Sequence, residues 1–131
     1  MKCVFSESLL QQKLYLPVQK FVQAEMPALH TSFHFQNHFC EIQFTDCHTG
    51  FRWEIFLLGD PNHNILGVSM SHFQAGQPNS SLCDNNVTED IQIDEKTLRA
   101  MNFTELQNSV FDFLLCIHTF PLCFHHCCSL K

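Results

Sequence analysis

Thiol and imidazole side chains, the usual zinc ligands of proteins, are concentrated in two parts of the sequence. The first set lies near the C-terminus and consists of Cys116, His118, Cys123, His125, His126, Cys127 and Cys128. The second set consists of His34, His38, Cys40, Cys47 and His48. Neither set contains the C-x-x-C pair that is typical of structural zinc sites. We therefore expect no metal and no cofactor, and a small metal-binding or thiol-dependent protein is the alternative interpretation.

The motifs of covalent catalysis and of phosphate binding are missing from the sequence. It contains no G-x-S-x-G, no G-x-x-x-x-G-K-[ST] and no G-x-G-x-x-G, and it has only four glycines. Eight Cys and nine His residues allow a Cys–His pair to meet in space, but their spacing does not select one. We predict that the protein is not an enzyme.

The charge and the aromatic content favour binding to other proteins. The 131 residues carry a formal net charge of -6 with seven Lys and Arg, too few for a surface that neutralises phosphates. Fourteen residues are Phe, whereas Tyr and Trp occur once each. Phe has no polar group, and fourteen rings are many for one small core, so we expect some of them at a contact surface. The expected partners are other protein subunits, with no nucleic acid.

The first residues and the longest apolar run indicate an intracellular protein without a membrane partner. Residues 1–8 lack the apolar core of a signal peptide, so we expect reduced thiols and a cytoplasmic or nuclear location. The apolar run over 110–124 is too short to span a bilayer and is interrupted by Asp112, His118 and Pro121. Eight cysteines and three N-x-S/T sequons leave a secreted, disulfide-bonded factor as a further alternative.

The elements that would position these side chains begin with a helix over residues 6–25. Ser6 or Ser8 can cap its start, and Pro17 is expected to kink or restart it. Apolar residues then follow helical spacing, at Leu10, Leu14, Val18, Phe21 and Val22.

Residues 31–73 change to an alternating period. Turn residues and short connections separate the runs, so an antiparallel four-stranded meander is the simplest topology. Trp53 lies in the most regular run and is expected to point into the core. The four runs that alternate apolar with polar residues are Phe33–Phe35, Cys40–Phe44, Phe51–Leu57 and Leu66–Met70.

The sequence predicts one α+β domain over residues 1–118. A polar stretch at 74–90 is assigned to a surface loop, and Ile91 and Ile93 can form a short edge strand after it. The last residues, 119–131, are rich in Cys and His and have no period, so we assign them to an irregular tail.

The clearest helical signal lies in residues 94–118. Asp94 can cap a first short turn, and Asn102 with Glu105 has the pattern of a capping box. The helix is expected to pack on one face of the sheet through a single apolar stripe formed by Phe103, Leu106, Val110, Phe113, Leu114 and Ile117.

Two stretches within these elements carry a family resemblance. Phe51–Leu57 runs into Asp60-Pro61-Asn62, and Ile91–Asp94 leads into the C-terminal helix. In this order, over about residues 6–118, the chain resembles RWD domains and ubiquitin-conjugating-like (UEV) domains. The Tyr-Pro pair that follows the central strand in that family is absent, and no His-Pro-Asn precedes Cys83. The resemblance therefore implies a non-catalytic adaptor or scaffold domain of a multi-subunit complex.

Phe111 is the first candidate for a partner-binding side chain. Adjacent helical residues point about 100° apart, so Phe111 lies beside the apolar stripe and not at its centre. Aromatic residues are enriched among interface hot spots, which makes a ring in this position a candidate anchor. If Phe111 belongs to the core instead, we expect the contact surface on the outer face of the sheet, around His34, His38 and Arg52.

Overall fold

A computed structural model describes residues 2–73 and 87–119 of the chain. Its strands form one antiparallel sheet in the order β1-β2-β3-β4-β5, namely β1 (Leu29–Phe35), β2 (Phe39–Asp46), β3 (Arg52–Gly59), β4 (Ile65–Phe73) and β5 (Val87–Asp94). The helices are α1 (Glu7–Leu10), a π-helical turn (Gln11–Tyr15), α2 (Leu16–Glu25), α3 (Glu95–Arg99) and α4 (Phe103–Thr119). The prediction of an α+β fold with helices on either side of an antiparallel meander in the chain is confirmed.

The sheet has five strands, so the prediction of four was wrong in this detail. β5 pairs with β4 along its length and begins at Val87, inside the segment 74–90 that the sequence assigns to a loop. Only Ile91 and Ile93 alternate there among polar and acidic residues, so backbone pairing with β4 defines the strand more than its side chains do. Residues 74–86 of the predicted loop and 120–131 of the predicted tail lie outside the described residues.

The helices cover one face of the sheet, here called the inner face. Trp53 points to this face and is 3% exposed, which confirms that it belongs to the core. The sheet contributes the buried side chains of Cys40, Ile42, Phe44, Trp53, Ile55, Leu57, Val68 and Met70. The helices contribute Leu10, Leu14, Val18, Val22, Leu106, Val110, Phe113 and Leu114.

Pro17 lies in the first turn of α2, immediately after the π-helical turn. Proline has no N–H, so it cannot donate to the carbonyl of Lys13 four residues earlier. The side-chain amide of Gln107, on α4, donates to that oxygen instead. The break in the first helix thus creates a polar link to the last helix.

The caps at the C-terminal helices follow the sequence prediction. The Asp94 carboxylate accepts a hydrogen bond from the N–H of Thr97 at 2.9 Å, which caps α3. At the start of α4, the Glu105 N–H donates to Asn102 Oδ1 at 2.8 Å, and the Asn102 N–H donates to Glu105 Oε1 at 2.9 Å. This reciprocal pair is a capping box. The stripe residues of α4 up to Leu114 are buried, and the side chain of Ile117 lies outside the description.

The segment before α1 is fixed to the β3–β4 turn. The Phe5 N–H donates to the carbonyl of His63 at 2.8 Å, and His63 Nδ1 lies 3.2 Å from the Phe5 carbonyl. His63 has a φ of 67°, a left-handed conformation that is uncommon for residues other than Gly. The two contacts with Phe5 hold His63 in that conformation.

Candidate functional site

The second face of the sheet, here called the outer face, carries none of the helices that cover the core. Side chains alternate between faces along a strand, and cross-strand partners share a face. The register therefore places Phe39 beside Leu58 in one row, and His34, Glu41 and Phe56 in the next. Every described side chain that β1–β4 direct to this face is half-buried or exposed. These side chains are available for contact with another molecule.

Four apolar side chains, Phe39, Phe56, Leu58 and Leu66, form what we call the outer strip. The rings of Phe39 and Phe56 stack, with centroids 5.3 Å apart and an interplanar angle of 14°. Leu58 lies opposite Phe39 and is 47% exposed. A single exposed apolar residue is ordinary on a protein surface, but a contiguous group marks a candidate binding surface.

A β-bulge adds Leu66 to the outer strip. Pairing passes from Leu58–Gly67 to Gly59–Ile65, so Leu66 is the extra residue of β4. Ile65 and Val68 are both buried on the inner face, and the two residues between them point outward. Leu66 is consequently 37% exposed, beside Gly67, which has no side chain.

His34 and His38 lie at the β1 side of the outer strip. The exposed His34 ring is 6.0 Å from the Phe39 ring, and its Nε2 is 3.0 Å from the side-chain nitrogen of Gln36. His38 is exposed between β1 and β2, and its carbonyl accepts a hydrogen bond from the Gly59 N–H at 2.9 Å. The structure brings these two predicted site residues next to Phe39.

Arg52 belongs to the same face but to the other end of β3. Its Nε donates to the Glu54 carboxylate at 2.9 Å. Its guanidinium carbon lies 4.7 Å from the centre of the Phe73 ring, within the range of a cation–π contact. Arg52 therefore shares the outer face with the two histidines without touching the outer strip.

Phe111 is separated from the other three predicted site residues. It lies on α4, on the inner side of the sheet, and is half-buried against the edge of the core. Its ring stacks on the Phe21 ring of α2, with centroids 4.5 Å apart and an interplanar angle of 29°. This contact gives Phe111 a structural role between two helices.

The second cysteine–histidine set does not come together in the fold. Cys40 is buried on the inner face, whereas His34 points to the outer face. Cys47 is exposed, and its Sγ donates to the carbonyl of Ala28 at 3.2 Å. Within the described parts of the chain, no three His, Cys, Asp or Glu side chains are grouped as metal ligands are. The first set begins at Cys116 and lies outside the described side chains.

Two of the thiols are held in the neutral form. Burial, and then the charge of Glu41, raise the pKa of the Cys40 thiol to about 12. Burial, and then the charge of Glu105, raise the pKa of the Cys3 thiol to about 11. Because the thiolate is the nucleophile and the metal ligand, these raised pKa values disfavour both roles for Cys3 and Cys40 at neutral pH.

Sequence reasoning missed the outer strip itself. Phe56 and Leu58 follow Arg52 and Glu54 at the positions of β3 where the alternation calls for polar residues. That departure from the pattern was the available signal. Leu66 had no such signal, because its direction depends on the bulge.

Comparisons with models of protein families, with curated proteins and with solved structures found no match to this chain. The resemblance to RWD and UEV domains stays a prediction from the sequence pattern. Within residues 2–73 and 87–119, no helix has the length and apolar character needed to cross a membrane.

Proposed function

We propose that this protein is a non-enzymatic adaptor or scaffold domain that binds another protein subunit through the outer strip, within an intracellular complex. The observation that carries the proposal is the contiguous apolar surface on the outer face of the sheet, which no described helix covers. Phe39 and Phe56 stack there, and nearly half of Leu58 is exposed. Removal of such apolar surface from water is the main favourable contribution to most protein–protein association.

The surroundings of the outer strip fit a protein interface. Such interfaces combine a central apolar group with a polar rim. Glu41 and His34 stand in the same row as Phe56, and Gln43 follows on β2. These groups can orient a partner whose apolar side chains cover the two stacked rings.

The resemblance to RWD and UEV domains supports the same proposal, because it implies a scaffold and not a catalyst. Fold alone does not assign a function, so the proposal rests on the side chains of the outer face. Multi-subunit assembly also agrees with the large number of Phe residues in the sequence.

The proposal is tested with a double variant of the full-length chain, Phe56→Ser with Leu58→Ser. Tagged wild type and variant are purified from cells, and co-purifying proteins are identified by mass spectrometry. A protein retained by the wild type is then purified and titrated against both chains. We expect the variant to lose at least about tenfold in affinity, equivalent to about 1.4 kcal/mol.

The matched control is Ser32→Ala with Thr45→Ala, on the same face but away from the outer strip and its polar neighbours. This variant is expected to bind the partner as the wild type does. Circular dichroism checks that all three chains are equally folded. Equal affinity of the Phe56/Leu58 variant and the control would overturn the proposal.

A further inference from the structure

Ile91 and Ile93 point to the inner face, yet they are less covered than the rest of that face. Ile91 ends a row of cross-strand neighbours whose three central members, Ile42, Ile55 and Met70, are fully buried. Ile91 itself is 37% exposed, and Ile93 is half-buried. The apolar rows of the core therefore end at Ile91 and Ile93, and no described strand continues them beyond β5.

An open groove of about 870 Å³ runs along β5. Ile93 and Phe113 line it from the inner side, and Leu58 and Gly67 line it from the outer side. Because both faces of the sheet contribute, the groove follows the sheet edge. Among the described strands β5 pairs with β4 alone, so its other edge offers backbone N–H and C=O groups for pairing.

The charged side chains lining the groove are acidic. They are Asp94, at the end of β5, and Asp112, on α4, and the described lining residues include no Lys, Arg or His. Hydrogen bonds from Thr97, first of all from its backbone N–H, lower the pKa of Asp94, which keeps this carboxyl ionised at neutral pH. The groove therefore complements a positively charged ligand.

We infer that the β5 edge binds an extended segment of a second protein, in which apolar residues alternate with Lys or Arg, as a sixth strand of the sheet. Strand addition of this kind obtains affinity from main-chain hydrogen bonds and specificity from alternate side chains. The apolar side chains of the segment extend the rows of Ile91 and Ile93, beside Phe113. The cations on its other side stand near Asp94. This site goes beyond the outer strip, although Leu58 and Leu66 belong to both surfaces.

A second copy of the same chain is a poorer occupant than a basic segment. The sequence of β5 contains Glu89, Asp90 and Asp94. Pairing β5 with itself would place two acidic strands side by side, and like charges on paired strands destabilise a sheet. Acidic residues along an edge strand also limit unwanted self-association.

The inference is tested by fluorescence anisotropy with the full-length chain and labelled synthetic peptides of about seven residues, a typical strand length. The first peptide alternates Lys with Val. The second has the same sequence with N-methyl groups on every second residue, which removes the backbone donors on one edge. The third has Glu in place of Lys. We expect the first peptide to bind, and each of the other two to bind at least about tenfold more weakly.

Two variants locate the site. Asp94→Ser removes the negative charge but keeps a residue that caps helices well, so it is expected to weaken the Lys–Val peptide without unfolding α3. Phe39→Ser alters the outer strip but not the groove, and it should leave the peptide affinity unchanged. In an NMR titration, the amide signals of Ile91 and Ile93 are expected to shift.

Several results would overturn the inference. These are an unbound Lys–Val peptide, equal binding of the N-methylated or Glu peptide, loss of peptide binding in Phe39→Ser, or a chain that dimerises through β5. Leu58 lines both surfaces but Phe56 does not line the groove, so Phe56→Ser alone separates them. A failed peptide with an intact effect of Phe56→Ser on partner affinity leaves the proposed function standing.

Discussion

At the residue scale, Gly59 shows why one position in β3 accepts no side chain. A Cβ built at Gly59 would lie 2.1 Å from atoms of the Phe5 ring, far inside contact distance. The Phe5 ring is buried there and lies 4.9 Å from the Phe35 ring, measured between centroids. Any larger residue at Gly59 must therefore displace Phe5 from the core.

We expect Gly59→Ala to lower the free energy of unfolding by about 2–3 kcal/mol, the cost of overpacking a filled core. Gly67→Ala is the matched control, because a Cβ at Gly67 meets only the Ile93 carbonyl at an ordinary distance of 3.9 Å. The control should change stability by less than about 0.5 kcal/mol. Urea unfolding of both variants measures the difference, and similar losses in the two would contradict the packing argument.

His72 is a fully buried histidine on the inner face. Its ring centroid lies 4.8 Å from that of Trp53 and 5.3 Å from that of Phe51. Burial among these rings disfavours the charged imidazolium and lowers the pKa of His72 from 6.5 to about 4. The folded chain therefore holds His72 neutral where an unfolded chain would begin to protonate it.

The consequence is a pH-dependent stability between pH 6.5 and about 4. In that window the unfolded state binds a proton that the folded state does not, so stability falls as pH falls. Above pH 6.5 both states are neutral at this residue and its contribution to stability is constant. Unfolding at a series of pH values should show uptake of about one more proton near pH 5 in the wild type and in the exposed-site control His34→Gln than in His72→Gln. An unchanged pH slope in His72→Gln would refute this assignment.

At the element scale, α2 and α4 meet through the stacked rings of Phe21 and Phe111. The sequence placed Phe111 correctly beside the apolar stripe of its helix. It could not show that the ring would find Phe21, because the two lie on different helices and their contact depends on how those helices pack. The helical period thus predicted the side of α4 on which Phe111 lies, but not its contact with Phe21.

We expect Phe111→Asp to destabilise the protein by about 2 kcal/mol, because it removes a stacked ring and places a charge against Phe21. Phe111→Leu keeps an apolar side chain and should lose less than half as much. Thermal unfolding of the full-length variants measures both effects. A Phe111→Asp chain with wild-type stability would show instead that the ring serves a partner and not the helix contact.

The sequence shows local periodicity but not contacts between distant segments, and this explains which strands were predictable. β3 was clear because Arg52, Trp53, Glu54 and Ile55 alternate strictly, whereas Phe56 and Leu58 continue as an apolar run that periodicity alone cannot assign to two faces. Leu66 required knowledge of the register between β3 and β4. β5 carries too few apolar residues for a strong signal, so its assignment as a strand required its pairing with β4.

At the scale of the whole molecule, the order helix, meander, helix was readable because each strand pairs with a sequence neighbour. The cap residues Asp94 and Asn102 were readable for the same reason, since their partners lie three residues away. The outer strip and the β5 groove could not be predicted from the sequence, because they join residues that only the strand register and the helix packing bring together.

The segment before β1 has partners that are synthesised much later in the chain. Phe5 contacts His63, 58 residues later, and Lys13 contacts Gln107, 94 residues later. At the roughly 5–20 residues per second of a ribosome, the first helix precedes Gln107 by roughly 5–20 s. During that time its apolar side has no finished sheet to cover, while the hairpins can already form from local contacts. A chain whose translation stops before α4 would therefore lack the Lys13–Gln107 hydrogen bond and the Phe21–Phe111 stack, which join the first helix to the last.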